Sequence, residues 1–117
     1  MFAFFRALKR TDPAICLERI SMGEMLLVDV REPQELATTG FANGAINLPL
    51  GRLAAAADAS NSARHTALSP DKPVALYCAT GARSAQGVMI LRKLGYQHVH
   101  NLGGLSHWQA AGGAVKR

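Results

Sequence analysis

The fold is indicated most clearly by the segment Val74-Ala-Leu-Tyr-Cys78-Ala-Thr-Gly-Ala-Arg83-Ser84. The apolar run at its start predicts a buried strand over 74–77. A loop that contains glycine follows from Cys78. A helix is then predicted over 84–94, because apolar residues recur along one side and Gly95 provides a stop. A cysteine therefore stands at the carboxyl end of a strand, directly before a loop that leads into a helix.

The rest of the chain repeats this alternation of strands and helices. Further strands are predicted over 26–30, 45–47 and 99–101, the last followed by a turn at Gly103-Gly104. Further helices are predicted from Pro13 to the stop at Gly23, and over 33–39, 50–57 and 105–111. Alternation of this kind joins parallel strands by helical crossovers. The predicted fold is α/β, a small open parallel sheet with helices on both faces, and ligands of such sheets bind beyond the carboxyl ends of the strands.

The length of 117 residues suits one domain. We expect an N-terminal extension over 1–10, a domain over 11–113 and a C-terminal tail over 114–117. In the extension we expect three aromatic residues to pack against the domain or to fray, rather than to anchor the chain at a membrane surface: Phe2, Phe4 and Phe5. In the tail we expect Lys116 and Arg117 to be frayed and solvated.

Composition narrows the class of protein. The net charge is +5, which attracts anions, but the cations are scattered and no nucleic-acid-binding motif accompanies them, so a small anionic partner is favoured.

No apolar run is long enough to span a bilayer and no signal peptide is evident, so a cytoplasmic location is expected. Cys16 and Cys78 show no sign of pairing, which suits a reducing compartment. Cys16 lies inside the first predicted helix and is expected to be buried.

The loop after Cys78 points to nucleophilic chemistry. A tight loop before a helix turns backbone N–H groups toward one point, and the helix N-terminus and Arg83 add positive charge there. Both would lower the pKa of an accessible Cys78 thiol and make it a nucleophile. Gly81 permits the backbone conformation that such a loop needs, and the small neighbours leave its mouth open. The expected substrate-binding residues are Ala79, Thr80, Gly81, Ala82, Arg83 and Ser84.

Individual residues of this loop admit further interpretations. Ser84 is expected to cap the following helix rather than to take part in catalysis. Thr80 could donate a hydrogen bond to sulfur or simply face solvent. At or near the end of the strand predicted over 26–30, Asp29 and Arg31 are expected to form a structural ion pair, with a supporting role in anion binding as the alternative.

Loop length separates two chemistries. Only four residues lie between Cys78 and Arg83, whereas cysteine phosphatases have one residue more in a cradle sized for phosphate. The smaller ring better fits a single sulfur atom carried on the cysteine. Sulfur transfer is therefore favoured over phosphate ester hydrolysis, and a low-molecular-weight phosphatase or arsenate reductase is the less favoured alternative.

Several motifs resemble, in order, those of the rhodanese family. They are Leu27-Val-Asp-Val-Arg31-Glu32, Gly44-Ala-Ile-Asn-Leu-Pro49, the active loop Cys78-Ala-Thr-Gly-Ala-Arg83-Ser84, and Gly95-Tyr with Asn101-Leu-Gly-Gly-Leu-Ser-His-Trp108. The resemblance covers roughly residues 11–113. One departure is Gly40-Phe41-Ala42, where the family often has Gly-His-Ile, and we expect that segment to be structural.

The resemblance implies a ping-pong sulfurtransferase. Cys78 would take sulfane sulfur from thiosulfate or a persulfide donor, carry it as a persulfide, and pass it to a thiol or cyanide. Arg83 would bind the anionic donor and stabilise the departing sulfite. Neither a cofactor nor a metal is implied. The alternative from another class is a persulfide carrier that delivers sulfur to a protein partner.

Overall fold

A four-stranded parallel sheet lies at the centre of the computed structural model, which describes residues 2–117. These residues form six strands: β1 (Leu26–Asp29), β2 (Phe41–Ala42), β3 (Ile46–Asn47), β4 (Val74–Cys78), β5 (Val99–Gly104) and β6 (Val115–Lys116). The order in the sheet is β3-β1-β4-β5, and every neighbouring pair is parallel. β2 and β6 form a separate antiparallel ribbon. The strand that ends in Cys78 is therefore a central one.

Helices cover both faces of the sheet. They are α1 (Phe2–Leu8), α2 (Pro13–Ser21), α3 (Pro33–Thr39), α4 (Leu50–Ala57), α5 (Ala82–Lys93) and α6 (Leu105–Ala110). The α/β fold with a parallel sheet and helices on both faces is confirmed. The reason is visible in the sequence, since continuous apolar runs form strands buried on both sides.

Side-chain alternation along β4 divides the core in two. Val74, Leu76 and Cys78 point to the side where they pack with residues of α1, α4 and α5. Ala75 and Tyr77 point to the other side, into a cluster with residues of α2 and α6. Cys78 thus lies on the α5 side of the sheet. The other cluster includes Cys16 and Trp108, both buried as expected.

Two predicted boundaries are wrong at the carboxyl end of the sheet. α5 begins at Ala82 rather than at 84, because Gly81 takes a left-handed φ of +111° and serves as its N-cap. Gly103 and Gly104 were predicted as a turn, yet they belong to β5 and lead straight into α6. The register shifts between Leu76 and Tyr77, and beyond that irregularity Gly103 and Gly104 pair with Tyr77 and Cys78, so the strand continues past the expected end.

Both ends of the described chain are held by the domain. α1 packs on α5 and β5, Ala7 is buried, and Phe4 lies against the main core cluster. Phe2 and Phe5 instead remain 80% and 59% exposed. At the other end Lys116 pairs with Phe41 in the β2–β6 ribbon, so the prediction of a frayed tail is wrong there. Met1 of the predicted extension lies outside the described residues.

The segment Phe41–Ala42 is structural, as expected, because it forms β2 of that ribbon. Within residues 2–117, no helix has the length and apolar character needed to cross a membrane.

Candidate active site

Cys78 occupies the last position of β4, and the loop that follows folds over its side chain. The residue is only 1% exposed, so the expectation of an openly accessible thiol is wrong for this structure. The cause is the inward direction of its side chain, which points into the core beside α5. Ala79, Thr80 and Ala82 are exposed around it and form the surface that a reactant meets first.

Hydrogen bonds to the sulfur decide the acidity of this thiol. The Gly81 N–H donates to the Cys78 Sγ over 3.0 Å. Burial by itself raises the pKa of the Cys78 thiol, but the Ser84 hydroxyl and the loop N–H groups of Ser84, Gly81 and Thr80 outweigh it. The pKa of Cys78 is therefore lowered, as predicted, and the thiolate is the stabilised form. These hydrogen bonds account for the lowering, whereas the sequence analysis assigned much of it to Arg83.

Ser84 does not cap α5, which corrects the prediction made for it. It lies in the first turn of the helix, fully buried, and its hydroxyl donates to the Asn101 Oδ1 over 2.7 Å. The Ser84 Oγ also lies 3.5 Å from the Cys78 Sγ. Ser84 is therefore placed to contact the sulfur, and its position comes from Asn101 rather than from the end of the helix.

Asn101 is a site residue that the sequence analysis missed. Its Nδ2 donates to the carbonyl oxygens of Ala7 and Gly81, and its Oδ1 accepts from Ser84 and from the Gly103 N–H, all within 3.0 Å. Every hydrogen-bonding group of its side chain is satisfied, so the amide has one orientation. Asn101 thereby ties the active loop to β5 and α1. An asparagine in a predicted strand of the sheet was the available signal, since a buried amide needs partners.

Arg83 does not point its full charge at the sulfur. Its two terminal nitrogens donate to the Glu35 carboxylate over 2.7 and 2.8 Å, in a bidentate pair whose side chains are each 35% exposed. Hydrogen bonds from Arg83 lower the pKa of Glu35 to about 2, with a further contribution from the Glu32 N–H and against the opposing effect of burial. Glu35 is the second site residue that the sequence analysis missed. Its signal was its place in the first turn of α3.

Asp29 and Arg31 form a buried ion pair at 2.8 Å, on the strand next to Cys78. The Arg31 guanidinium also donates to the Thr39 hydroxyl and the Gly40 carbonyl, and so fastens the end of α3 to the end of β1. The guanidinium carbon lies 5.6 Å from the centre of the Tyr77 ring. These contacts match the predicted structural ion pair, because a buried pair needs such additional hydrogen bonds.

Across residues 2–117, no group of three His, Cys, Asp or Glu side chains comes together that could hold a metal ion. The site itself consists of a buried cysteine, hydrogen-bond donors around its sulfur and one arginine–glutamate pair. This arrangement stabilises negative charge on sulfur at the carboxyl end of a parallel sheet.

The chain is similar in sequence to a known domain family and to individual proteins. The family model of the rhodanese-like domain matches residues 12–111. The uncharacterized protein YqhL of Bacillus subtilis is 40% identical over 91 residues, a match that spans 77% of this chain and 63% of that protein. A sulfurtransferase of Allochromatium vinosum is 36% identical over 90 residues, or 76% of each chain.

A solved structure shows the same fold. A protein of unknown function from Rhodopseudomonas palustris, described as a possible tyrosine phosphatase, superposes with a TM-score of 0.76 at 29% identity, over 88% of this chain and 79% of that one. The relative from Allochromatium vinosum supports sulfur transfer in general. The chain spans less than two thirds of the length of the Bacillus subtilis protein.

Proposed function

This chain belongs to the rhodanese-like domain family, and we propose that it is a sulfurtransferase that carries sulfane sulfur as a persulfide on Cys78. The observation that carries the proposal is the ring of donors around the Cys78 Sγ, with the Gly81 N–H at 3.0 Å. A persulfide ends in an anionic sulfur, and preorganised N–H groups stabilise such an anion without reorganisation. The lowered pKa of Cys78 favours the thiolate that attacks the donor.

The proposed reaction has two halves. In the first, the Cys78 thiolate attacks the outer sulfur of a donor, the donor's S–S bond breaks, and the leaving group departs with the electron pair. With thiosulfate the leaving group is sulfite, and with a persulfide it is a thiolate. In the second, a thiolate or cyanide attacks the outer sulfur of the Cys78 persulfide and regenerates the thiolate. Each half exchanges one S–S bond for another bond to sulfur, so no external oxidant or reductant is needed.

In this proposal different residues of the loop bind different parts of the reacting molecules. The Gly81 N–H and the Ser84 hydroxyl, at 3.0 and 3.5 Å from the Cys78 Sγ, stabilise this inner sulfur when Cys78 is the leaving thiolate. The remaining N–H groups of the loop would hold the outer sulfur of the persulfide. Arg83 would meet the anionic donor, and to do so its guanidinium must share or exchange the Glu35 carboxylate. The free thiols of Cys16 and Cys78 suit a reducing compartment, which supports a cytoplasmic location.

Intact-mass measurement after brief incubation with thiosulfate, and separately with a persulfide donor, tests the proposal. The wild type is expected to gain the mass of one sulfur atom, and cyanide is expected to remove it. Cys78→Ser is expected to gain nothing. Cys16→Ser is the matched control, because Cys16 is equally buried but lies on the other face of the sheet, and it is expected to behave as the wild type.

Two alternatives correspond to different outcomes of the same experiment. Sulfur loading that turns over only when an acceptor protein is added would identify a persulfide carrier for that partner. Failure of both donors to load Cys78, together with hydrolysis of an aryl phosphate, would contradict sulfur transfer and point to a phosphatase.

A further inference from the structure

The charges around the active loop nearly cancel. Glu35 neutralises Arg83 through a bidentate pair, and Asp29 neutralises Arg31 through a buried one. The two pairs influence each other, because the hydrogen bonds to Glu35 raise the pKa of Arg83 and the negative charges of Cys78 and Asp29 raise it further. Two cations and two anions leave no net charge there, and the Cys78 thiolate then makes the site negative.

A site of this kind discriminates between sulfur donors by their charge. Thiosulfate carries two negative charges, and its approach to a thiolate concentrates three on neighbouring atoms. Stabilising that arrangement calls for an unpaired cation at the point of attack. The net charge of +5 on the whole chain attracts anions at long range, but solvent and salt screen that attraction and it does not replace a cation in the site.

Glu35 is firmly held in its position against Arg83. Its Oε2 accepts from the Glu32 N–H over 2.8 Å as well as from Arg83, and this capping bond fixes the carboxylate at the start of α3. The low pKa of Glu35 keeps it charged throughout the range in which a thiolate exists. A donor anion that needs Arg83 must therefore share it with, or displace, a bidentate and charge-assisted partner.

We propose that Glu35 is a specificity-determining residue that directs the site toward singly charged sulfane-sulfur donors, such as thiosulfonates and persulfides, and away from dianionic thiosulfate. The proposal rests on the proposed sulfurtransferase function. With a thiosulfonate, the Cys78 thiolate attacks the outer sulfur, the S–S bond breaks and a sulfinate leaves with the electron pair. One negative charge fewer is present than in the thiosulfate reaction, so the site needs no unpaired arginine.

The experiment compares two donors that differ in little but charge. Methanethiosulfonate has a methyl group where thiosulfate has one anionic oxygen, and it presents the same S–S bond. We would measure kcat/KM for both, with cyanide as acceptor, in the wild type and in Glu35→Gln. The glutamine retains an acceptor for the Glu32 N–H and removes the charge, so α3 keeps its cap.

Glu35→Gln is expected to raise kcat/KM for thiosulfate about tenfold relative to methanethiosulfonate, since one nearby charge then no longer opposes the second charge of the donor. Glu35→Asp keeps the charge and is expected to keep the donor ratio close to that of the wild type. Glu32→Gln is the matched control, since it removes an exposed carboxylate at the start of the same helix, and it is expected to change neither constant.

Two results would overturn the inference while leaving sulfur transfer intact. One is an unchanged ratio of kcat/KM between the two donors in Glu35→Gln, and the other is a larger loss of kcat/KM with thiosulfate than with methanethiosulfonate. The second result would mean that Glu35 serves only to position Arg83 for the donor. A wild type that takes sulfur from neither donor would instead overturn the proposed function, and the inference with it.

Discussion

Ser84 carries one hydroxyl hydrogen and has two acceptors within reach. In the structure the hydrogen goes to the Asn101 Oδ1 at 2.7 Å, while the Cys78 Sγ lies 3.5 Å away. When Cys78 loses its proton, the thiolate becomes the stronger acceptor, and a rotation about one bond turns the hydrogen toward it. Asn101 keeps Ser84 in place for that rotation, because its own amide is held by Ala7 and Gly81.

Ser84→Ala is expected to raise the pKa of Cys78. The hydroxyl donor stabilises the thiolate and not the thiol, so its removal shifts the thiolate population to higher pH. Hydrogen bonds to charged groups are strong enough for alkylation of Cys78 by iodoacetamide at neutral pH to slow by about tenfold. The alkylation rate, measured from about pH 5 to about pH 10 where thiols titrate, should keep its plateau at high pH, and the midpoint of its rise should move upward.

Ser106→Ala is the control for that titration, since Ser106 is exposed on α6. A midpoint that stays in place in Ser84→Ala would mean that the backbone N–H groups alone set the acidity of Cys78.

Some residues of the site could be predicted from the sequence and others could not. Cys78 and its loop follow one another along the chain, so their spacing predicted the cradle. The partners of the loop come from far away, since Arg83 meets Glu35 across 48 positions and Asn101 meets Ala7 across 94. Such pairs depend on how helices pack on the sheet. The sequence therefore predicted a positively charged loop, and the structure contains a neutralised one.

At the scale of the elements, the strand–loop–helix unit around Cys78 depends on a close approach by β5. A Cβ atom built at Gly104 would lie 2.2 Å from the Ala79 carbonyl oxygen, which is a backbone atom of the active loop. Gly104 has an extended backbone, with φ of −113°, so the requirement for glycine here is one of space. The sequence analysis assigned this glycine to a turn because a glycine pair usually marks one.

Gly104→Ala is expected to displace the loop at Ala79, lower the rate of sulfur transfer, and reduce the free energy of unfolding by about 1–3 kcal/mol, as in other overpacked sites. Gly51→Ala is the matched control, since a Cβ at that position in α4 meets nothing within 4 Å. Alanine is the better helix former, so this variant is expected to be as stable as the wild type or up to about 1 kcal/mol more stable.

Urea unfolding and the cyanide-dependent transfer rate would decide between these outcomes. Wild-type activity in Gly104→Ala would contradict the view that β5 sets the shape of the loop.

Element boundaries follow the same division between local and long-range causes. The central strands were predicted well, because a run of apolar residues, such as the one in β1 (Leu26–Asp29), can be recognised from neighbouring residues alone. The predicted start of α5 and end of β5 are wrong because the first depends on the left-handed conformation of Gly81 and the second on the pairing of Gly103 and Gly104 with β4. The β2–β6 ribbon joins positions more than 70 residues apart along the chain, and each of its strands is too short to show a pattern.

For the whole molecule, the structure makes the first helix part of the fold. α1 precedes the residues that match the family model, and the sequence analysis assigned it to an extension. Its Ala7 carbonyl nevertheless accepts from Asn101, which also holds Gly81 and Ser84. α1 packs on α5, which follows the active loop, and on β5, which approaches the loop at Gly104, so both elements share its support. We propose that residues 2–8 belong to the cooperative unit that contains Cys78.

Phe4→Ala and Phe2→Ala test this proposal as a matched pair, since both remove the same side chain from the same helix. Phe4 packs against the main core cluster, whereas Phe2 is 80% exposed. Phe4→Ala is expected to lower the free energy of unfolding by about 1–3 kcal/mol, less than for a fully buried phenylalanine. Phe2→Ala is expected to stay within about 0.5 kcal/mol of the wild type.

Both phenylalanine variants would be measured by urea unfolding and by the rate of Cys78 alkylation. If α1 supports the active loop, Phe4→Ala also makes that alkylation faster under native conditions, because the buried thiol becomes accessible when the loop loses its tie through Ala7 and Asn101. Equal stability and equal alkylation rates for both variants would place α1 outside the cooperative unit. The boundary of the domain would then lie near residue 11, where the sequence alone had placed it.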